Sequence, residues 1–457
     1  MNTEHFQNIQ SAIENDLHWK TEAVKAVFHV FPEHRRLQLT DYSLVGNKLL
    51  PVLQVVLAYL QQEEVGKALG STYVGDVTAI CLSSSNFLGL DWKREALDIA
   101  TKFLEQHKGL STDEEESRTR IRLRFLELER LSLNWSSNQK EGSWLCQEVK
   151  TFIDNYRIKH KRSNGWYGNL VQLYARLLLD QERFQEALDE LDKFRQIESM
   201  PSWLEDIQLL DIRFLKGEIR RYQGNFKESG RILEDVMRLE KAASPPKLST
   251  HYTAVQCELR NFDGAMLILR HDLDDMKNEC STKAIRLTQA LAMTYLMKAT
   301  WLLIQSRGTS DRSPAIISLV KDTESLLSRL RNRPEESKGL TYVRSITHFY
   351  LHLISAIAKH LSGNYEEAIV CWERVRSMSK KLWPEGYTDV IITYSQADLH
   401  FRQAKKLREY ALRGSRKFNR CFYFPGLGTT WPQFIDRGME FEHNQQPLWD
   451  WSEQECM

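Results

Sequence analysis

The sequence contains few of the residues that interrupt or crosslink a chain. Its 457 residues include 11 prolines, 21 glycines and seven cysteines, and no two cysteines form a Cys-x-x-Cys pair. The cysteines are scattered, at positions 81, 146, 257, 280, 371, 421 and 456. This composition excludes a collagen-like or low-complexity chain. It predicts free thiols in a reducing compartment rather than a disulfide framework or a zinc site.

Long apolar runs and an excess of charge of one sign are also missing. The sequence has no stretch of about 18 uncharged apolar residues, so we expect no membrane-spanning helix. The first 20 residues lack the basic start and apolar centre of a signal peptide. The formal net charge of +1 gives no overall attraction to nucleic acid or acidic lipid. We therefore expect a soluble cytoplasmic protein that binds no nucleic acid, and a nuclear location stays open.

The motifs of common catalytic and nucleotide sites are absent. There is no Gly-x-x-x-x-Gly-Lys-Ser/Thr phosphate loop, and the nearest string, Val65-Gly66-Lys67-Ala68, lacks the upstream glycine and the magnesium-binding hydroxyl. No Gly-x-Ser-x-Gly elbow occurs, and the many carboxylates lie on amphipathic helical patterns. We therefore predict no catalytic residues, no cofactor and no enzyme activity.

One group of histidines has the spacing of metal ligands. His348 and His352 lie four residues apart, and His360 follows eight residues later, so a helix would place the first two on one face. No glutamate follows the first histidine, and no third ligand is evident. We interpret all three as core or surface histidines and predict no metal site.

Helical periodicity dominates the sequence, and a turn motif recurs within it. Each copy has a turn residue, an aromatic residue, two spacers and a small residue, and the aromatic residues are Phe184, Phe226, Phe262 and Tyr365. We expect glycine or asparagine to end the first helix of each copy in the left-handed conformation. The aromatic residue would cover the end of a helical hairpin, and the small residue would let the two helices approach.

A second small residue precedes the first by twelve positions in each copy and once more near the N-terminus. The predicted helix-crossing pairs are Ser84 and Ala96, Ala175 and Ala187, Gly217 and Ser229, Thr253 and Ala265, and Ala356 and Ala368. Five pairs at one spacing are typical of tetratricopeptide repeats. They predict an all-α fold, a right-handed superhelix (solenoid) of antiparallel helical hairpins.

The repeat is irregular, and we divide the chain into four parts. Residues 1–140 are read as divergent hairpins, 141–275 as tetratricopeptide-like repeats, 276–420 as elongated hairpins with a last repeat, and 421–457 as an aromatic, acidic tail. The elongated part is predicted to hold helices over about 284–305 and 342–361 and a shorter one opened by Pro314. Polar connections are predicted at 109–117, 134–142 and 307–313.

The first hundred residues add a resemblance to a known family. Residues 27–34, which contain Phe31-Pro32, then Leu50-Pro51, and then the 84–96 hairpin resemble the start of the repeat arm of fungal NOD-like (STAND-type) receptors. The likeness covers residues 20–410, but Val52 stands where that family usually has histidine. In the family, a nucleotide-binding domain precedes these repeats. The resemblance implies a tetratricopeptide arm without the ATPase switch.

Two adjacent segments near the C-terminus carry opposite charge. Residues 401–420 have a local charge of +7, and residues 421–457 have one of −5. The candidate partner-binding basic patch comprises Arg402, Lys405, Lys406, Arg413, Arg416 and Lys417. Three interpretations stay open for this run: a solvated terminal helix, a site for an acidic protein segment and, as a minor one, binding to nucleic acid or an anionic membrane. The tail is expected to cap the last repeat or to compete for the groove.

The function that these patterns favour is protein–protein interaction. We predict a non-catalytic adaptor or regulatory arm that holds a peptide or partner helix in the superhelix groove. Two alternatives stay open, an accessory component of a fungal biosynthetic or regulatory pathway and an enzyme with an unfamiliar site inside the superhelix. A large enclosed pocket with several ionisable groups would favour the enzyme, and an open polar and aromatic groove would favour the adaptor.

Overall fold

The computed structural model describes residues 17–30, 39–84, 90–109, 114–132, 139–159, 161–181, 183–197, 202–239, 246–275, 282–305, 314–331, 341–382 and 405. These residues form seventeen α-helices and one short 3-10 helix, Ser71–Tyr73, and no β-strand occurs among them. The predicted all-α class is therefore confirmed.

Three helices precede the regular hairpins. They are α1 (Leu17–Val30), α2 (Leu39–Leu60) and α3 (Glu63–Leu69), and α1 packs on both of the others. Val24, Leu53 and Val65, one from each helix, are fully buried in a shared cluster. Gly66, in the string nearest to a phosphate loop, is buried within α3 beside Gln106, so this string has a structural role in helix packing.

Fourteen further helices form seven hairpins, each with a first and a second helix that pack together. The hairpins are α4 (Val74–Ser84) with α5 (Leu90–Gln106), α6 (Glu114–Ser132) with α7 (Gln139–Asn155), α8 (Lys161–Asp180) with α9 (Phe184–Leu191), α10 (Trp203–Tyr222) with α11 (Phe226–Leu239), α12 (Pro246–Glu258) with α13 (Phe262–Asp274), α14 (Thr282–Gln305) with α15 (Pro314–Arg331), and α16 (Thr341–Leu361) with α17 (Tyr365–Leu382).

The first helices of these hairpins form a continuous row. α4 packs on α6, and the contact repeats from α6 to α8, α10, α12, α14 and α16 in turn. Among the described residues, no second helix packs to a comparable extent on another second helix, because each contacts the first helices on either side. We call these two sets the first-helix row and the second-helix row. Consecutive hairpins in two rows are compatible with a helical-repeat solenoid.

Four of the hairpin turns share one backbone geometry. The N–H groups of Arg183, Asn225, Asn261 and Asn364 each donate to the carbonyl oxygen five residues earlier, over 2.8 to 2.9 Å. The aromatic residues Phe184, Phe226, Phe262 and Tyr365 are the first residues of α9, α11, α13 and α17. The recurring sequence motif therefore corresponds to one recurring turn.

The left-handed residue differs among these turns. Gly224 and Gly363 have φ angles of +76° and +77°, as the sequence predicts for glycine after a helix. The third turn corrects the prediction, since Arg260 adopts a φ of +67° and Asn261 caps the N-terminus of α13 with its side chain. The guanidinium of Arg260 lies 4.1 Å from the centre of the Trp301 ring, a cation–π contact that offsets the cost of this conformation.

The residues predicted at helix crossings lie inside the hairpins. Nine of them have described side chains, and all nine are buried: Ala96, Ala175, Ala187, Gly217, Ser229, Thr253, Ala265, Ala356 and Ala368. The side chain of Ser84 lies outside the described part. The Ser229 hydroxyl donates to the Gly217 carbonyl over 2.7 Å, and a Cβ at Gly217 would come within 2.8 Å of Leu233. α10 and α11 therefore approach through glycine.

Several predicted boundaries agree with the structure and two need correction. α14, α15 and α16 match the predicted helices, and α15 begins at Pro314. The connections predicted at 109–117 and 134–142 are too long, because α6 begins at Glu114 and α7 at Gln139. Acidic residues are favourable in the first turn of a helix, so the run Glu114–Glu116 belongs to α6. The predicted connection at 307–313 and the tail at 421–457 lie outside the described residues.

The hydrophobic core follows the chain as a series of overlapping clusters. One cluster joins α6, α7, α8, α9 and α10, and another runs from α12 to α17 around the fully buried Trp372. The first crosses residue 140 and the second crosses residue 275. Described residues on both sides of each position therefore share a core cluster, and the four-part division of the chain stays a prediction.

Candidate interaction surface

Ion pairs connect successive helices of the first-helix row. Arg130 of α6 donates from Nε to Oδ2 of Asp180 in α8 over 2.7 Å. Arg221 of α10 contacts the carboxylate of Glu258 in α12 through three N···O distances of 2.7 to 3.0 Å. In both pairs the arginine lies on the earlier helix and the acid on the later one. We call this series the arginine ladder.

A third contact in the arginine ladder joins three helices. Nη1 of Arg176 in α8 lies 3.8 Å from Oε2 of Glu218 in α10. Nδ1 of His251 in α12 lies 3.4 Å from Oε1 of the same carboxylate. The His251 ring also meets the Phe214 ring edge-on, with their centroids 5.1 Å apart. The ladder therefore runs without a gap from α6 to α12.

The acids of the ladder are buried and the arginines cover them. Asp180, Glu218 and Glu258 have side chains only 1 to 7% exposed, whereas the arginine side chains are 13 to 29% exposed. Asp180 and Glu258 are the last residues of α8 and α12, where the helix dipole disfavours a negative charge. A guanidinium beside each carboxylate offsets that repulsion and the cost of its burial. The result is a row of partly buried arginines, of which Arg130 and Arg221 are fixed by hydrogen bonds.

Aromatic and polar side chains accompany the arginine ladder. The Arg120 guanidinium of α6 lies 5.5 Å from the centre of the Trp166 ring of α8. On α10, Ile207, Asp211 and Phe214 precede Glu218 at helical spacing, so they share its face. Phe214 is itself buried in a core cluster, so the accessible part of this surface combines the arginines with the partly buried Trp166 and Ile207.

The two rows of helices also differ in charge. The first helices from α4 to α16 carry eighteen Lys and Arg against twelve Asp and Glu, and the second helices carry sixteen against twenty-one. α14 and α16 contain no acidic residue at all. The first-helix row is therefore the more basic of the two surfaces.

Neutral and capping contacts join α8 to the N-terminal half of α10. Gln172 is hydrogen-bonded to Gln208, and Asn164 donates to Oε1 of Glu205 over 2.7 Å. Burial opposes the ionisation of Glu205, but the hydrogen bonds from Asn164 and from the capping residue Ser202 outweigh it and hold its pKa below the ordinary value. The start of α10 is therefore fixed against α8.

The predicted basic patch falls almost wholly outside the described residues. Of its six members only Lys405 is described, and it is exposed.

The three histidines have different environments, since His348 is exposed, His352 is partly buried and His360 is fully buried beside Tyr365. Among the described residues no three His, Cys, Asp or Glu side chains form a group able to hold a metal. No described helix has the length and apolar character needed to cross a membrane.

The exposure of one tryptophan could not be predicted from the sequence. Trp203, the first residue of α10, is 70% exposed. Tyr222 and Trp372, which also lie in helices, are buried. Helical spacing alone does not distinguish these cases. The Pro201-Ser202 pair before Trp203 is the only sequence signal, because it marks a helix start where a side chain has fewer neighbours.

The buried cysteines are expected to react slowly with thiol reagents. Burial raises the pKa of Cys81 and Cys257 to about 12 and that of Cys146 to about 11, so little thiolate forms at pH 8. In the folded protein, alkylation followed by peptide mass spectrometry should find these three labelled more slowly than the partly buried Cys371. Rapid labelling of Cys257 would contradict the packing of α12 on α14.

No protein-family model matches the chain, and no curated protein matches it.

Proposed function

We propose that this protein is a non-catalytic interaction arm of the tetratricopeptide type, an adaptor or regulatory module. In this proposal the hairpins wind into a right-handed superhelix, and the first-helix row lines its groove. The groove holds a peptide or a helix of a partner protein. The continuous first-helix row supports the proposal, because it provides one uninterrupted surface across seven hairpins.

The arginine ladder is the observation that carries this proposal. Arg130 and Arg221 are each hydrogen-bonded to a carboxylate of the next helix, so little conformational entropy is lost when they bind a partner. Arg176 lies 3.8 Å from Glu218 and keeps donors for the partner. Arginine and aromatic residues contribute most to binding energy at many interfaces, and the first-helix row carries the ladder arginines together with the Arg120 and Trp166 pair. The partner is expected to offer carboxylate or carbonyl acceptors to these guanidinium groups.

The basic patch near residue 405 and the cellular setting belong to the same proposal. Lys405 is exposed, and its basic neighbours in the sequence would extend the surface toward an acidic partner. The likeness to fungal NOD-like receptor arms supports a fungal, cytoplasmic protein that senses or scaffolds other proteins. In this proposal it acts without a nucleotide switch.

Site-specific photo-crosslinking tests which row binds the partner. A photoreactive amino acid at Asn169 of α8 would lie on the first-helix row, and one at Asp189 of α9 would lie on the second-helix row. After a partner has been identified by affinity purification, crosslinking to it should occur from position 169 and not from position 189. Equal crosslinking from both, or crosslinking from 189 alone, would contradict a groove on the first-helix row.

A charge variant gives an independent check. Arg176→Ala should weaken binding of the partner at least tenfold, because the guanidinium is partly exposed and its acid lies beyond hydrogen-bond distance. Arg238→Ala is the matched control, since Arg238 forms an exposed ion pair on α11 in the second-helix row. Calorimetry measures the affinity of each variant for the partner, after a check that their melting temperatures are equal. Equal affinities would count against the role of the ladder.

A further inference from the structure

The first turns of α6, α8 and α10 lie along one edge of the molecule. Nζ of Lys159 lies 2.6 Å from Oε2 of Glu115, and Nη2 of Arg162 lies 2.8 Å from Oε1 of Glu116. These contacts join the start of α6 to the start of α8. Asn164 in turn contacts the carbonyl oxygen of Arg195 over 2.9 Å, which joins α8 to the segment before α10. We call this region the α8/α10 edge.

Three large apolar side chains are exposed at the α8/α10 edge. Trp203 is 70% exposed, Ile197 is 47% exposed and Ile158 is 44% exposed. Ile158 precedes α8 by three residues, and Ile197 precedes α10 by six. The backbone N–H of Ile197 contacts Glu205, which with Ser202 forms the capping box of α10. Trp203 and Ile197 are therefore held at the surface by an ordered helix start.

The same edge is rich in positive charge. No aspartate or glutamate occurs from residue 155 to residue 179, and the loop before α8 and its first turn contain Arg157, Lys159, Lys161 and Arg162. Arg157 and Arg195 are exposed, and neither has an ion-pair partner in the part of the chain that the structure describes. Exposed apolar groups beside uncompensated arginines resemble the composition of binding hot spots.

We infer that the α8/α10 edge is a second docking surface, which binds an acidic, amphipathic helix of a partner protein. The contacts of Asn164 with Glu205 and with the Arg195 carbonyl bring the start of α8 to the start of α10 and to the segment that carries Ile197. An α-helix with apolar side chains at i, i+4 and i+7 presents an apolar stripe about 10.5 Å long. Apolar side chains at i, i+4 and i+7 of the bound helix meet the exposed side chains, and its glutamates meet Arg157 and Arg195.

The acidic groups at this edge favour a protein helix over an anionic membrane. Glu115 and Glu116 lie within the edge, and Asp206 follows in the first turn of α10. A uniformly anionic lipid surface would meet these carboxylates at close range, whereas a peptide places its own charges between them. This docking surface does not depend on the groove of the proposed function.

Peptide binding to the full chain tests the inference. The probe is a fluorescein-labelled 14-residue peptide of alanine and glutamate with leucines at positions 4, 8 and 11, measured by anisotropy at low salt. Trp203→Ala and the double variant Arg157→Glu/Arg195→Glu should each weaken binding at least tenfold. The matched controls are Trp144→Ala, which removes a 60% exposed tryptophan of α7, and Arg231→Glu, which reverses an exposed charge of α11. Both controls should stay within twofold of the unchanged protein.

Further arms of the experiment separate the other outcomes. Exchange of the three leucines for serine, or of the glutamates for lysine, should abolish binding. Absence of peptide binding, or equal binding by the Trp203→Ala and Trp144→Ala variants, would overturn the inference. It would also be overturned if vesicles of phosphatidylserine and phosphatidylcholine bind in a Trp203-dependent manner and the peptide does not. The loss of peptide affinity caused by Trp203→Ala should be the same with and without Arg176→Ala, so failure here is distinct from failure of the groove proposal.

Discussion

Replacing Arg221 with methionine is expected to lower the free energy of unfolding by about 3 kcal/mol. The side chain of Glu258 is 1% exposed, and Arg221 contacts it at three distances between 2.7 and 3.0 Å. Removing one member of a buried ion pair leaves an uncompensated charge, which typically costs about 3–5 kcal/mol. We take the lower end of that range because Arg221 is itself 13% exposed. Urea denaturation followed by circular dichroism measures the change.

Two further variants make this measurement decisive. Arg238→Met removes an exposed ion pair with Glu234, four residues away on one helix, and should change stability by less than about 0.5 kcal/mol. The double variant Arg221→Met/Glu258→Met removes both charges and should recover most of the lost stability, because methionine packs well in an apolar setting. If Arg221→Met behaves like Arg238→Met, the Glu258 carboxylate is not held by this arginine.

Replacing Ala368 with leucine is expected to cost about 1–3 kcal/mol through overpacking. Ala368 is fully buried between α16 and α17, in the cluster that contains Ala356 and Trp372. Its N–H donates to the carbonyl of Asn364 over 3.0 Å, which fixes the position of its Cβ at the hairpin turn. Three extra carbon atoms therefore require the two helices to separate. A lower denaturation midpoint with an unchanged slope is the expected observation.

The matched control for this substitution lies two residues away. Val370 is on the same helix but half exposed, so Val370→Leu adds volume where the side chain can extend into solvent. We expect its effect to remain within about 0.5 kcal/mol. If Ala368→Leu leaves the denaturation midpoint unchanged, the pair Ala356 and Ala368 does not mark the helix crossing, and the register of the repeats is wrong.

The turns of the hairpins could be predicted because their signal is local. In Gly224-Asn225-Phe226 and Gly363-Asn364-Tyr365, the left-handed residue, the cap and the aromatic residue are adjacent in sequence. Each has one main physical role that depends little on the rest of the chain. Arg260 departs from the preference for glycine or asparagine at the left-handed position, because its guanidinium contacts Trp301, which lies 41 residues away. Local composition does not report such a partner.

The arginine ladder could not be predicted, because its members are far apart in sequence. Arg221 and Glu258 are separated by 37 residues, and Arg130 and Asp180 by 50. The irregular repeat gives no constant offset with which to search for such pairs. From the sequence alone, these residues resemble the solvated charges of any amphipathic helix. Their pairing follows only from which first helices are neighbours.

The α8/α10 edge could not be predicted from the sequence for a related reason. The basic residues from Arg157 to Arg162 are visible in the sequence, but the exposed Trp203 and Ile197 follow some forty residues later. The run at 401–420 is the stronger basic signal in the sequence, and it lies far from these residues. Only the packing of α8 on α10 brings the apolar and basic groups to one place.

The two-row arrangement has a mechanical consequence. Each first helix packs on the second helix of its own hairpin and on its neighbours in the row, so a load along the row passes from one joint to the next. The joints from α6 to α12 contain buried ion pairs, whereas α14 and α16 have no acidic residue and cannot form an ion pair with each other. The joint between α14 and α16 lies instead in the buried apolar cluster that runs from α12 to α17. A pull along the row is therefore resisted by ion pairs in one segment and by apolar packing in the other.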